Sequence, residues 1–316
     1  AQAGLHATDI VDMVIVANSV MHHLILNLQP KYLGLAPFVP ATYDAVDIPA
    51  RELALDAVNP GARVHFLPLE AGFVGADNVG VILAEEPHTQ NDIVLIVDVG
   101  TNGEILLGNR ERLLCASSPS GPALEGAQIL HGMRAAPGAI ERVRIDPVTL
   151  NARFRVIGRD EWSDELPAEE VRALGICGSG IIEAVVELGR AGLIDNSGKW
   201  NKTLEHPRIV RHNDIPAYVL AWPEQTALGQ AVLVSLADVR AIQLAKAALY
   251  TGVRVLMRHR QVEKLDRIVL TGAFGSYIDP AYAMSLGMIP VFGMKSYAVS
   301  DRLPISPWFP GSGRSL

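Results

Sequence analysis

The chain has 316 residues, 49% hydrophobic and 19% charged, so it can bury a large core and is not disordered in bulk. Its net charge of −7 argues against nucleic acid as a non-specific partner. Its two cysteines, Cys115 and Cys177, form no CxxC pair and no metal-ligand array, so neither zinc nor an iron–sulfur cluster is expected in this chain, and a reducing cytoplasm fits.

The longest apolar stretch, Ile10 to Leu28, contains Asp12, Asn18, His22 and His23, so no membrane span is expected. The start lacks the basic-then-apolar pattern of a signal peptide and lacks an initiator Met, as expected for a piece of something longer. Val11 to Ala17 reads as a buried strand and Asn18 to Leu28 as a helix leaving it. Pro30, Pro37 and Pro40 punctuate a loop. Ile48 to Val58 fits helix or loop. Arg63 to Leu67 reads as a strand and Val74 to Ala84 as a helix. Between them, Pro68 to Asp77 is a flexible turn with Asp77 at the helix start. A carboxylate there can orient water or a metal, and more often simply caps the helix.

The apolar run Ile93 to Val97 ends in Asp98. Gly100-Thr101-Asn102-Gly103 follows, and a second apolar run leaves it after Glu104. Asn-Gly between two such runs predicts a hairpin, with positive φ at the turn. The backbone amides of such a tip can cradle a phosphate, and the strand-end carboxylate can hold hydrated Mg²⁺. No Gly-Lys-Ser/Thr follows, so this is not a Walker loop. Arg112 to Ala116 fits a third strand.

Ile140 to Ile145 and Arg153 to Ile157 predict a second hairpin around Asp146-Pro147, at an edge or in an inserted lobe. Glu161 to Val171 is acidic and expected at the surface. Gly178-Ser179-Gly180 opens a helix that continues to Gly192, so free amides and a positive helix end could hold an anion there; close packing through small residues explains the same letters. Cys177 is expected as a small buried residue. Asn196 to Pro223 reads as an irregular polar insertion. Ser235 to Arg260 is the clearest helix, with Ser235 and Asp238 as a capping box and Leu236, Val239, Ile242, Ala245, Leu249, Gly252, Val255 and Leu256 on one face. Ile268 to Leu270 is a short strand that ends in a Gly272-Ala273-Phe274-Gly275 turn, where a backbone could approach adenine or ribose. Asp279-Pro280 starts a helix that Gly287 closes. The tail from Pro304 is expected to be loosely ordered or packed on a neighbour. His22 and His23 are adjacent on a helix and point about 100° apart, so structural roles are preferred to a shared metal. Strands and helices alternate, which defines an α/β class.

The order of these motifs resembles the second half of the acetate and sugar kinase, heat-shock chaperone and actin superfamily. Val16-Ala17-Asn18-Ser19-Val20-Met21-His22-His23-Leu24, Phe73-Val74-Gly75-Ala76-Asp77, Asp98 to Glu104, Ser120 to Ala127, Pro137 to Glu141 and Leu270 to Gly275 resemble the C-terminal region of the reductive activators of corrinoid proteins. The resemblance runs over nearly the whole chain. It implies actin-like, ribonuclease H-like lobes: mixed sheets flanked by helices, with an inserted hairpin. Residues 1–90 would be the remainder of the first lobe and 91–316 the second, with insertions near 139–172 and 196–223.

The resemblance also implies a function. A full-length activator uses an N-terminal [2Fe-2S] ferredoxin domain to reduce a Co(II) corrinoid on a methyltransferase partner, and ATP with Mg²⁺ drives the step. Asp98 to Glu104 would be the second phosphate loop, with Asp98 at the metal. Gly272 to Gly275 would be the adenosine-side loop, and Asn18 and Asp77 would sit near the cleft. The ferredoxin cysteines and the first phosphate loop, an Asp-x-Gly-Thr-Thr stretch, are absent here, and Ala17 stands where a glycine is usual. A folded, dimeric fragment with negligible ATPase is therefore expected. The rival readings are a module that docks the corrinoid protein or dimerises, and, last, a small-molecule kinase of the same superfamily.

Overall fold

The computed structural model describes residues 4–100, 102–272, 277–290 and 296–299. Thr101, Ala273, Phe274, Gly275 and the tail from Pro304 lie outside the described residues. The described chain forms two compact units, one of residues 4–93 with 108–117, the other of residues 94–107 and those from 118 onward.

The first unit begins with β1 (Asp12–Ile15) and α1 (Ser19–Ile25), followed by β2 (Val46–Pro49), β3 (Arg63–Phe66) and α2 (Ala76–Glu85). Its sheet has the order β1-β3-β2, with β1 parallel and β2 antiparallel to β3. Ala50, Ala62, Val64 and Phe66 form its core, with Met13, Ile15 and Ile48 packed on it. The expectation of a buried first strand is corrected here. β1 is an edge strand, and Val14 is 64% exposed. An apolar run shows the capacity for burial but not whether both faces are covered.

The second unit holds the apolar run that ends in Asp98. Val94 to Val97 is buried in β4 (Val94–Val99), and β5 (Gly103–Asn109) follows; β6 (Arg112–Ser118) comes next in the chain and, but for Ser118, is counted with the first unit. β13 (Arg267–Thr271) runs parallel to β4, and β14 (Ser296–Val299) parallel to β13. A long helix, α5 (Leu236–Arg260), lies over β5: Leu249 meets Gly103 and Gly252 meets Ile105. Its capping box is as expected, with Ser235 Oγ accepting from the Asp238 amide and Asp238 Oδ2 from the Ser235 amide. Its buried face differs in part: Val253 and Met257 are buried, while Val255 is 46% exposed. Over seven turns the helical period carries the apolar stripe past position 255.

The hairpin of β7 (Ala139–Ile145) and β8 (Ala152–Val156) forms as predicted. β7 is not at an edge, because β9 (Gly175–Ile176) pairs on its other side. The acidic stretch is largely exposed and carries one helical turn, α3 (Ala168–Val171). α4 (Gly178–Arg190) follows and is buried along most of its length. The reading of 196–223 as irregular is corrected. β10 (Ile209–His212) and β11 (Ile215–Ala221) form a hairpin there, with β12 (Val232–Ser235) on its far side. Ala217 to Ala221 are all buried, so this end of the stretch is core, while most of 196–216 is exposed or half-buried. Last comes α6 (Pro280–Leu286), capped by Asp279 and closed by Gly287 in the left-handed region, as expected. Among the described residues no helix is long and apolar enough to cross a membrane.

Candidate functional site

The site candidates fall into a group on each unit. In the second unit, β4 and β13 are adjacent and parallel, and their C-terminal ends coincide: Asp98 pairs in register with Thr271. Ligands of α/β sheets bind beyond the carboxyl ends of such strands. Asp98 is half-buried at that end, and Gly272 lies directly over it. A Cβ on Gly272 would fall 2.0 Å from Asp98 Oδ1, and the residue adopts φ +90°. The structure thus brings the expected phosphate-side carboxylate and the first residue of the expected adenosine-side turn together.

Beyond Asp98 the chain turns tightly. The Gly100 amide donates to the Asn102 carbonyl at 3.1 Å. Asn102 is exposed, Gly103 is buried and Glu104 is half-buried. Gly103 does not take the positive φ expected of it. It already belongs to β5, and its lack of a side chain answers a different demand: a Cβ there would lie 2.2 Å from Leu249 Cδ2. Ser120 opens the Ser120 to Ala127 block that resembles the activators, and its hydroxyl donates to the Gly100 carbonyl at 3.4 Å. It ties the loop after β6 to the turn.

Gly178, Ser179 and Gly180 open α4 as predicted, and all three are buried. A Cβ on Gly178 would fall 2.0 Å from the Leu124 carbonyl oxygen, and one on Gly180 2.1 Å from that of Ile140. Both glycines are accounted for by backbone packing. Cys177 caps this helix start. Its thiol lies 3.3 Å from the Ile140 carbonyl and from Ser179 Oγ, and burial pushes it up from the ordinary thiol range.

In the first unit, Asn18 caps α1, its Oδ1 accepting from the Met21 amide at 2.9 Å. Asp77 stands in the first turn of α2, with Oδ1 accepting from the Asn78 amide at 2.9 Å. Gly75 joins them: a Cβ there would fall 2.8 Å from Asn18 Cα and 2.8 Å from Asp77 Oδ1. Burial raises the Asp77 carboxyl above the usual carboxylate range, against the pull of its backbone hydrogen bonds. Next to it, Glu70 Oε2 accepts from Asn78 Nδ2 at 2.9 Å. Burial and the Glu70 carboxylate push the Cys115 thiol up to about 12. That thiol is not a reactive one.

His22 and His23 are both buried. The Ala41 amide donates to His23 Nε2 at 2.8 Å, so Nδ1 carries the proton toward the Ser19 carbonyl, 2.7 Å away. His22 stands edge-on to Phe66 with ring centroids 5.4 Å apart. The structural reading of the pair fits this geometry.

Among the described residues no three His, Cys, Asp or Glu side chains converge as a metal cage. Mg²⁺ needs none, since it commonly keeps several waters and binds one or two carboxylates plus phosphates. A half-buried strand-end carboxylate beside a bare glycine fits that demand.

These features define an actin-like domain of the acetate and sugar kinase, heat-shock chaperone and actin class. The family described as "C-terminal domain of RACo the ASKHA domain" matches residues 92–300, and that described as "RACo middle region" matches residues 1–90. The chain belongs to the RACo family of corrinoid activators. It is 38% identical over 298 residues to "Corrinoid activation enzyme RamQ" of Eubacterium limosum, covering 92% of this chain and 48% of that protein. It is 28% identical over 265 residues to "[Co(II) methylated amine-specific corrinoid protein] reductase" of Methanosarcina barkeri, covering 80% of this chain and 45% of that one. The solved structure of a "Reductive activator for corrinoid,iron-sulfur protein" matches with a TM-score of 0.79 at 33% identity, over 93% of this chain and 46% of that chain. The chain thus spans about half the length of the relatives it matches.

Proposed function

We propose that this chain is the ATP-handling part of a protein that reductively activates a Co(II) corrinoid on a methyltransferase partner. The observation that carries the reading is the close approach of Gly272 to the Asp98 carboxylate where the adjacent parallel strands β13 and β4 end. Asp98 would hold hydrated Mg²⁺. The turn after Asp98 would lie on the phosphate side, and Gly272 on the adenosine side. ATP with Mg²⁺ supplies a phosphoanhydride whose hydrolysis offsets an uphill one-electron reduction of Co(II). The electron itself would come from a [2Fe-2S] ferredoxin domain elsewhere in the full-length protein.

In this reading residues 1–90 complete the first lobe, and Asp77 is the carboxylate within that lobe offered for proton chemistry. Its raised pKa suits a group that moves or orients a proton. Gly178 to Gly180 serve as packing in this proposal. A docking or dimerisation role is favoured by α1, where Val20, Met21, Leu24 and Ile25 are exposed on one face.

The test is Asp98→Ala in the intact protein. Removing one such charge contact is worth roughly 10²-fold in rate. ATPase should fall by about that much, with Mg²⁺-ATP affinity by calorimetry falling in parallel and the melting curve retained. An unchanged ATPase would remove Asp98 from the site.

A further inference from the structure

We propose that Gly272 is a positioning residue for Asp98, whose bare Cα fixes the direction of that carboxylate at the strand end. The inference rests on the nucleotide reading of Asp98 and adds a role that contact with an adenosine does not require. β13 and β4 run in register up to Thr271 and Asp98, and Gly272 follows directly after β13, against the last residues of β4. Gly272 adopts φ +90° there. A Cβ there would meet three atoms: Asp98 Oδ1 at 2.0 Å, Val99 N at 2.9 Å and Val99 O at 3.0 Å.

Two of these belong to the backbone and are held by the sheet. The third is a side-chain oxygen and is the one that can yield. Any side chain at 272 therefore displaces the Asp98 carboxylate first. The other close glycines of this unit differ. Gly103 abuts a leucine methyl, while Gly178 and Gly180 abut backbone carbonyls. Among these four, Gly272 alone lies against a carboxylate.

A glycine kept only for its φ would make no such distinction, and a double-mutant cycle separates the two cases. Gly272→Ala, Asp98→Ala and the double variant are made in the intact protein. Their melting is measured without nucleotide, and Mg²⁺-ATP binding by calorimetry. In the native background Gly272→Ala should lower Tm by about 4 °C or more, and in the Asp98→Ala background by less than half as much. It should weaken Mg²⁺-ATP about tenfold in the native background and no further once Asp98 is gone. An equal loss of Tm in both backgrounds overturns the proposal. Should Gly272→Ala not fold, folding restored in the double variant supports it, and folding not restored overturns it. If Asp98→Ala binds Mg²⁺-ATP like the native protein, the nucleotide reading of Asp98 fails, while the Tm cycle still decides whether Gly272 acts on that carboxylate.

Discussion

Glu183 accepts the backbone amide of Val143 at 2.8 Å, at the point where strand pairing on that side of β7 has run out. β9 covers only Ala139 and Ile140 of β7. Beyond it, α4 presents Glu183 to Val143 and Glu187 to Ile145. Four residues of helix rise about 6 Å and two residues of strand about 6.6 Å, so the carboxylates match alternate amides. The helix stands in for a missing strand.

Glu183 is 1% exposed and also accepts from Arg142 Nη1 at 2.8 Å and Arg144 Nη1 at 2.6 Å. Glu183→Ala strands a buried amide and takes the Glu183 carboxylate away from two guanidinium groups. Removing one partner of a buried charged network costs about 3–5 kcal/mol, and the partial exposure of both arginines places this case near the lower end. Urea denaturation should show that loss. A change under 1 kcal/mol would mean that water replaces the carboxylate.

Gly103 gives a second prediction. Its neighbour Leu249 is buried on α5, so Gly103→Val must push a core side chain aside. Overpacking of this kind costs about 1–3 kcal/mol. Asn102→Ala alters only an exposed turn residue and should stay within about 0.5 kcal/mol. Equal melting temperatures for the two variants would show that Leu249 yields freely.

His22 sets a pH dependence. Burial, then the neighbouring His23, holds its pKa below 6.5 in the folded state. The unfolded chain therefore binds the proton first, and stability contributed by neutral His22 is lost as pH falls through about 6.5 toward the folded value. Neither ring nitrogen has a partner among the described residues, so His22→Leu breaks no hydrogen bond. The native Tm should fall more steeply than that of His22→Leu between pH 7.5 and 5.5. Burial also holds His131 low, so the slope flattens only in part. Parallel slopes would show that His22 does not titrate in this range.

The elements with local signatures were legible. Ser235 with Asp238, and Asp279-Pro280 with Gly287, fixed both ends or one end of their helices from adjacent letters alone. Asp98 and Gly272 were each legible at the end of a strand. Their meeting was not, because parallel pairing joins residues far apart in sequence and leaves no local trace. The role of Gly103 was misjudged for the same reason, since Leu249 is distant in the chain and decides it. Ser120 stood in a block that resembles the activators, but its contact with the Gly100 carbonyl, 20 residues away, was not legible there.

The segment 196–223 hid a signal that was local after all. His212 pairs with Ile215 across a two-residue loop, Asn213-Asp214, with φ values of 49° and 62°. Positive φ at both positions is the type I′ turn, whose twist suits a hairpin. Asn and Asp tolerate that conformation, and glycine at the second position tolerates it better. Asp214→Gly should therefore keep the fold and change stability by about +0.5 kcal/mol, the gain in turn geometry slightly exceeding the added freedom of the unfolded chain. Asn213→Val places a β-branched residue at positive φ and should cost about 1–3 kcal/mol. Because Ala217 to Ala221 are buried behind this turn, the loss should appear in global unfolding rather than as local fraying. Urea melts of the two variants check the order. A stable Asn213→Val protein would mean that the β10–β11 hairpin closes through a different turn.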